Sequence, residues 1–109
     1  MRSGPGGRIV NVAARPAVLP SGGMLAYSMS KAAVVNLTQS LAEEVKEHGI
    51  LVNAVVPSIM DTPSNRAAMP DADHSGWPGV EAVAEAIWFL SSERNGLTSG
   101  ALIPVYGRA

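Results

Sequence analysis

Two stretches of the chain, RIVNVAA (8–14) and ILVNAVVP (50–57), are almost unbroken apolar and β-branched runs. Runs of that length suit strands covered on both faces, as in a parallel sheet. From about Leu25 to Glu47 the period changes. Val34, Leu37, Leu41 and Val45 recur at helical spacing, with Gln39, Glu43, Glu44, Lys46 and Glu47 mostly between them, which predicts an amphipathic helix. Gly49 stands where a left-handed cap would stop that helix. A second helical pattern covers GVEAVAEAIWFLSS (79–92), with Val80, Val83, Ala84, Ile87 and Leu90 on one face, and GALIPVYG (100–107) reads as a last strand. LPSGG (19–23) is a loop by composition and Asn95-Gly96 a turn. Residues 58–79 carry Pro63, Pro70 and Pro78 with little periodicity and read as a long, partly irregular excursion.

The predicted order is β-α-β-loop-α-β without internal repeats. Alternating strands and helices favour an α/β fold with a parallel sheet and right-handed crossovers. Three strands make a thin sheet, and the first would have a bare apolar edge open to association. The chain is therefore expected either to form a homo-oligomer, through the 25–47 helix or the exposed strand edge, or to be the C-terminal part of something larger.

Composition narrows the function classes. The 109 residues are 47% hydrophobic with a formal net charge of −1, so no basic excess points to nucleic acid. There is no cysteine, which removes disulfides and thiolate metal sites and fits a cytoplasmic setting. No apolar run approaches the roughly 20 residues that cross a bilayer, and MRSGPGGRIV lacks the apolar core of a secretion signal.

The candidate chemistry lies in AYSMSKAAV (26–34), where Tyr27 and Lys31 are four positions apart. On a helix that spacing puts both on one face. A free phenol has a pKa of about 10, and a neighbouring cation favours its ionised form. Such a pair suits proton exchange with a substrate oxygen while hydride moves at carbon. Taken alone, the spacing arises by chance in many chains.

Context adds to it. The strand ending in NVAA, the loop, YSMSKAAV and HGILVNAVVPSIMDTP, in this order, resemble the C-terminal half of the short-chain dehydrogenase/reductase family, from about Gly7 to Arg108. The resemblance implies a Rossmann-like doubly wound fold lacking its N-terminal dinucleotide-binding half. It implies Tyr27 as acid/base, and Lys31 as its electrostatic helper and ribose ligand. Pro57, Ser58 and Ile59 would form the turn against the nicotinamide of NAD or NADP, and Thr62 would contact the carboxamide or pyrophosphate. The family's usual glycine after the proline is Ser58 here. Asn11 and Asn53 match strand-end asparagines, read as structural. The parent reaction would be NAD(P)H-linked hydride transfer to a small-molecule substrate.

Two departures matter. Most members carry a serine thirteen positions before the tyrosine; here it is Ala14. Losing one positioned donor costs roughly 2.7–4 kcal/mol of transition-state stabilisation. MDTPSNRAAMPDADHSGW (60–77) resembles the quinonoid dihydropteridine reductase branch, where that serine is also absent. In addition, no Gly-rich turn opens a helix, so the chain is expected to be a truncated fragment that binds dinucleotide weakly or not at all. The alternative is a non-enzymatic, oligomerising remnant.

The remaining polar residues invite plainer readings. His48 suits a helix C-terminus, and DADH (71–74) a solvated loop. Arg15 and Arg66 can meet an anionic ligand, with surface solvation the simpler expectation. Trp77 should pack the excursion, and Trp88 and Phe89 should enter the core or a subunit interface. Met24, Met29, Met60 and Met69 suit a pocket wall or core gaps.

Overall fold

In the computed structural model, which describes residues 1–109, the best-covered element is the second strand. β1 (Gly7–Val12), β2 (Ile50–Pro57) and β3 (Leu102–Val105) form one parallel sheet in the order β1-β2-β3. β2 is central, and Val52 through Pro57 are buried without exception. Because successive side chains of a strand point to opposite faces, a strand buried at every position needs cover on both. α2 (Leu25–Val45) supplies one cover: Ala42 and Val45 pack with Ile50 and Val52, and Ile9 and Leu41 flank them. Asn53 points the other way and bonds the turn after α4 (Val80–Ser91), which lies against β1 and β2.

β1 is an edge strand and only partly buried, and Val12 at its end is exposed. The expectation of two covered faces holds for β2 and fails for β1. β3 forms the opposite edge and tolerates Pro104, whose missing N–H costs nothing on a side without a neighbour.

Glycine sets the register at the start of the sheet. α2 runs into a 3₁₀ turn (Lys46–His48), and Gly49 closes it in the left-handed region at φ 69°. A side chain on Gly6 would collide with the Gly49 carbonyl, so the two loops pass backbone to backbone. Gly7 then pairs with Ile50, and the ladder continues to Val12 with Val55.

Several elements differ from the sequence reading. A short helix, α1 (Arg15–Val18), follows β1 where none was expected. The excursion contains α3 (Pro63–Ala68) and a 3₁₀ turn (His74–Gly76). Pro63 sits in the first turn of α3, where its missing N–H is harmless, so proline starts a helix here and does not merely interrupt one. Asp61 N–H donates to the Pro78 carbonyl at 2.9 Å, closing the excursion at its neck. On α2, Thr38 takes a buried position and Leu37 an exposed one. Trp88 and Phe89 face outward, so they are not core. Trp77 does pack the excursion, with its ring 4.4 Å from that of His74.

Candidate functional site

β1 and β2 end side by side, and a cleft of about 760 Å³ opens beyond their carboxyl ends. In open α/β sheets this is the usual place for a ligand. Ala13 N–H donates to Val55 O at 2.9 Å, carrying the ladder past β1 so that Ala14 reaches the cleft in a fixed position. Pro57, Ser58 and Ile59 leave β2 along one wall. The Ser58 hydroxyl donates to the Tyr106 carbonyl at 2.9 Å, which ties this turn to the segment after β3.

Tyr27 lies in the first turn of α2 and lines the same cleft, 47% exposed. Its hydroxyl makes no hydrogen bond within the chain. Lys31, one turn further, donates from Nζ to the Val12 carbonyl at 3.2 Å. The ammonium is thereby anchored where β1 stops, beside the cleft and not in its wall. Ser28, between them, has a hydroxyl enclosed without a partner.

The fold brings Tyr27, Pro57, Ser58 and Ile59 together around one space. Thr62 is outside it. Its hydroxyl accepts from Asn65 N–H at 3.1 Å and caps α3, a use that a Thr-Pro at a helix start foreshadows. Asn65 donates to the Met60 carbonyl at 2.9 Å and lines the cleft that Thr62 does not reach. Met24, Met60 and Met69 line the cleft as well, whereas Met29 points to solvent. Arg15, Leu19 and Ser21 also line the cleft. Only their closeness in sequence to Tyr27 and Ala14 hinted at this.

Both asparagines are structural, as expected. Asn11 donates to the Thr38 hydroxyl at 3.0 Å, locking β1 to α2. Asn53 donates to Thr98 O at 2.9 Å and accepts from Ala101 N–H at 3.0 Å. Asn95, also buried, caps the same turn by accepting from Thr98 N–H and donating to Leu90 O. Arg66 is not free in solvent: it forms a two-pronged pair with Asp61 at 2.6 and 3.0 Å. That hydrogen bonding holds the Asp61 carboxyl below the usual Asp range. Asp73 is held low by its hydrogen bonds with Ser75. No helix is long and apolar enough to cross a membrane.

A parallel sheet whose central strand is covered on both faces, with a tyrosine-bearing cleft at its strand ends, defines an α/β protein of the Rossmann-like class. The family model described as short chain dehydrogenase matches residues 1–73. A (3R)-3-hydroxyacyl-CoA dehydrogenase from Canis lupus familiaris is 36% identical over 115 residues, covering 96% of this chain and 44% of its own length. A short-chain type dehydrogenase/reductase from Mycobacterium ulcerans superposes with TM-score 0.89 at 28% identity, over 98% of this chain and 42% of that one. ElxO, solved with NADP bound, superposes with TM-score 0.78 at 27% identity, over 92% and 45%. The chain belongs to the short-chain dehydrogenase family and spans less than half the length of the hydroxyacyl-CoA dehydrogenases it matches. The likeness of residues 60–77 to dihydropteridine reductases finds no specific counterpart among these relatives.

The residues present fit the nicotinamide end of a dinucleotide. The cleft has an apolar floor at Pro57 and Ile59, a phenol with no partner and a nearby ammonium. Nothing in the chain matches the pyrophosphate end, because no strand here leads through a Gly-rich turn into a helix.

Proposed function

We propose that this chain carries the acid/base half of an NAD(P)-linked oxidoreductase site. The observation that carries the reading is that Tyr27 and the Pro57–Ser58–Ile59 turn line one cleft. A reduced nicotinamide held against Pro57 and Ile59 would supply hydride chemistry at a carbonyl carbon of the substrate. Tyr27 gives its phenolic proton to the oxygen that gains the electron pair, leaving an alcohol; in the reverse direction it takes that proton back. Lys31, fixed by Val12 O, offers its remaining N–H groups to the ribose hydroxyls and places a positive charge one turn from the phenol. Pro57 and Ile59 exclude water from the ring face, and the backbone of this turn is available to the carboxamide. Alone, the chain holds the dinucleotide weakly or not at all, because most contacts to the pyrophosphate and adenosine lie outside these residues.

Tyr27→Phe tests the reading. Any NADH- or NADPH-dependent carbonyl reduction by the chain falls to background in this variant. Equal rates above background in the two proteins contradict the role of Tyr27.

A second reading is favoured by the outward face of α2, where Leu25, Met29 and Leu37 are 77%, 64% and 53% exposed. A non-catalytic, oligomerising remnant would keep that face and need no working cleft. Absence of both turnover and nicotinamide contact, together with self-association, favours it.

A further inference from the structure

We infer that Arg15 makes the cleft selective for substrates that carry an oxyanion, a carboxylate or a phosphate, on the molecule that is reduced or oxidised. The inference rests on the hydride-transfer reading for the identity of the substrate, but the binding preference itself requires neither cofactor nor turnover.

Arg15 bears the only charged side chain among the residues lining the cleft, and no acidic side chain accompanies it there. The nearest carboxylate of the excursion, Asp61, is occupied by Arg66. The Arg15 side chain is half-buried, and it makes no ion pair or hydrogen bond within the chain. Its guanidinium carbon lies 4.8 Å from the centre of the Tyr106 ring. Stacking of this kind satisfies the flat face of a guanidinium and leaves its edge donors free. Those donors form a planar fork suited to two-point recognition of carboxylate or phosphate.

The orientation is supported from behind. Tyr106 O accepts from the Ser58 hydroxyl, so the aromatic shelf under Arg15 and the turn that lines the cleft with Tyr27 belong to one hydrogen-bonded unit. Much of the remaining lining, including Leu19, Met24 and Met69, is apolar, and an ionic contact gains strength as such walls exclude water. Simple solvation accounts poorly for a cation held over a ring in an apolar cleft. The neighbouring position carries a methyl group, Ala14, which cannot hold a substrate oxygen. An anchoring contact one residue along restores the orientation that a hydroxyl would otherwise give.

The test uses the chain itself and two matched probe pairs, followed by NMR of the backbone and of the arginine Nε groups. The pairs are levulinate against methyl levulinate, and dihydroxyacetone phosphate against dihydroxyacetone. At least one anionic probe is expected to bind about tenfold tighter than its neutral partner, with shifts at Arg15 and Ala14. The tighter of the two names the oxyanion. Arg15→Met, which keeps an apolar stem over Tyr106, is expected to abolish the preference. Arg15→Lys retains part of it, through charge without the fork. Equal binding within both pairs, no response at millimolar concentration, or an unchanged preference in Arg15→Met overturns the inference. Absence of the preference in the unaltered chain, beside Tyr27-dependent turnover, refutes Arg15 alone; a preference with Tyr27-independent turnover refutes the catalytic reading alone.

Discussion

Lys31 donates to the carbonyl of Val12 at 3.2 Å, so the helix that carries Tyr27 is fastened to the strand that delivers Ala14. A long, flexible side chain would otherwise sample many rotamers. Here its head group has a defined origin at the end of β1, and Tyr27 lies one turn nearer the start of the same helix. The relation explains why a short spacing on one helix becomes part of a cleft built by three segments distant in sequence.

Two buried polar side chains should respond to truncation in opposite ways. Asn53 is fully buried and gives Ala101 N–H its acceptor. Asn53→Ala strands that donor and is expected to cost about 1–3 kcal/mol. Ser28 Oγ is enclosed with no partner, so Ser28→Ala removes a dehydrated hydroxyl and installs a better helix former. It should be neutral or stabilising by up to about 1 kcal/mol. Urea unfolding of the two variants checks both signs.

Only strong acid should loosen the neck of the excursion. The Arg66 guanidinium holds the Asp61 carboxyl below its ordinary value, chiefly by hydrogen bonding. A carboxyl whose folded pKa is depressed contributes stability that is complete above the unfolded value of about 3.9. That contribution disappears as pH falls through the lower folded value. An NMR titration should find the Asp61 midpoint below the free-aspartate value, and Arg66→Met should move it back up. The pair is exposed, so the effect on global stability is small.

Self-association is expected through α2. Leu25, Met29 and Leu37 stand on its uncovered side, and β1 leaves an edge unpaired. Sedimentation of the chain should show concentration-dependent dimers or larger species, and Leu25→Glu with Met29→Glu should shift them toward monomer. A monodisperse monomer at high concentration contradicts this.

Legibility followed the physics of each segment. β2, α2 and α4 have long, uniform periods, and Gly49 marks a conformation few other residues adopt, so their positions could be read closely. The Pro57–Ser58–Ile59 wall and Tyr27 were legible because a resemblance supplied their relation; no local pattern brings residues thirty positions apart to one cleft. Leu37 and Thr38 exchanged places because Asn11 offers Thr38 a partner across the α2–β1 contact, and a hydropathy pattern has no access to that bond. Thr62 looked like a ligand contact, yet its nearest unsatisfied donor is the Asn65 N–H of its own helix. α1 was hidden because four residues are too few to show a period. Arg15 was visible as a charge, while its stacking on Tyr106 depends on a contact between segments 91 residues apart.

Whether this cleft receives a nicotinamide ring decides most directly between a hydride-transfer site and a remnant. Titration of the isotope-labelled chain with nicotinamide mononucleotide, followed by amide and tyrosine ring resonances, measures that without requiring turnover or the rest of a dinucleotide site. Shifts confined to residues 27–31 and 57–59, weakened in Lys31→Met, are the predicted result. Silent resonances at Tyr27, Ser58 and Ile59, or shifts gathered elsewhere on the chain, would contradict it.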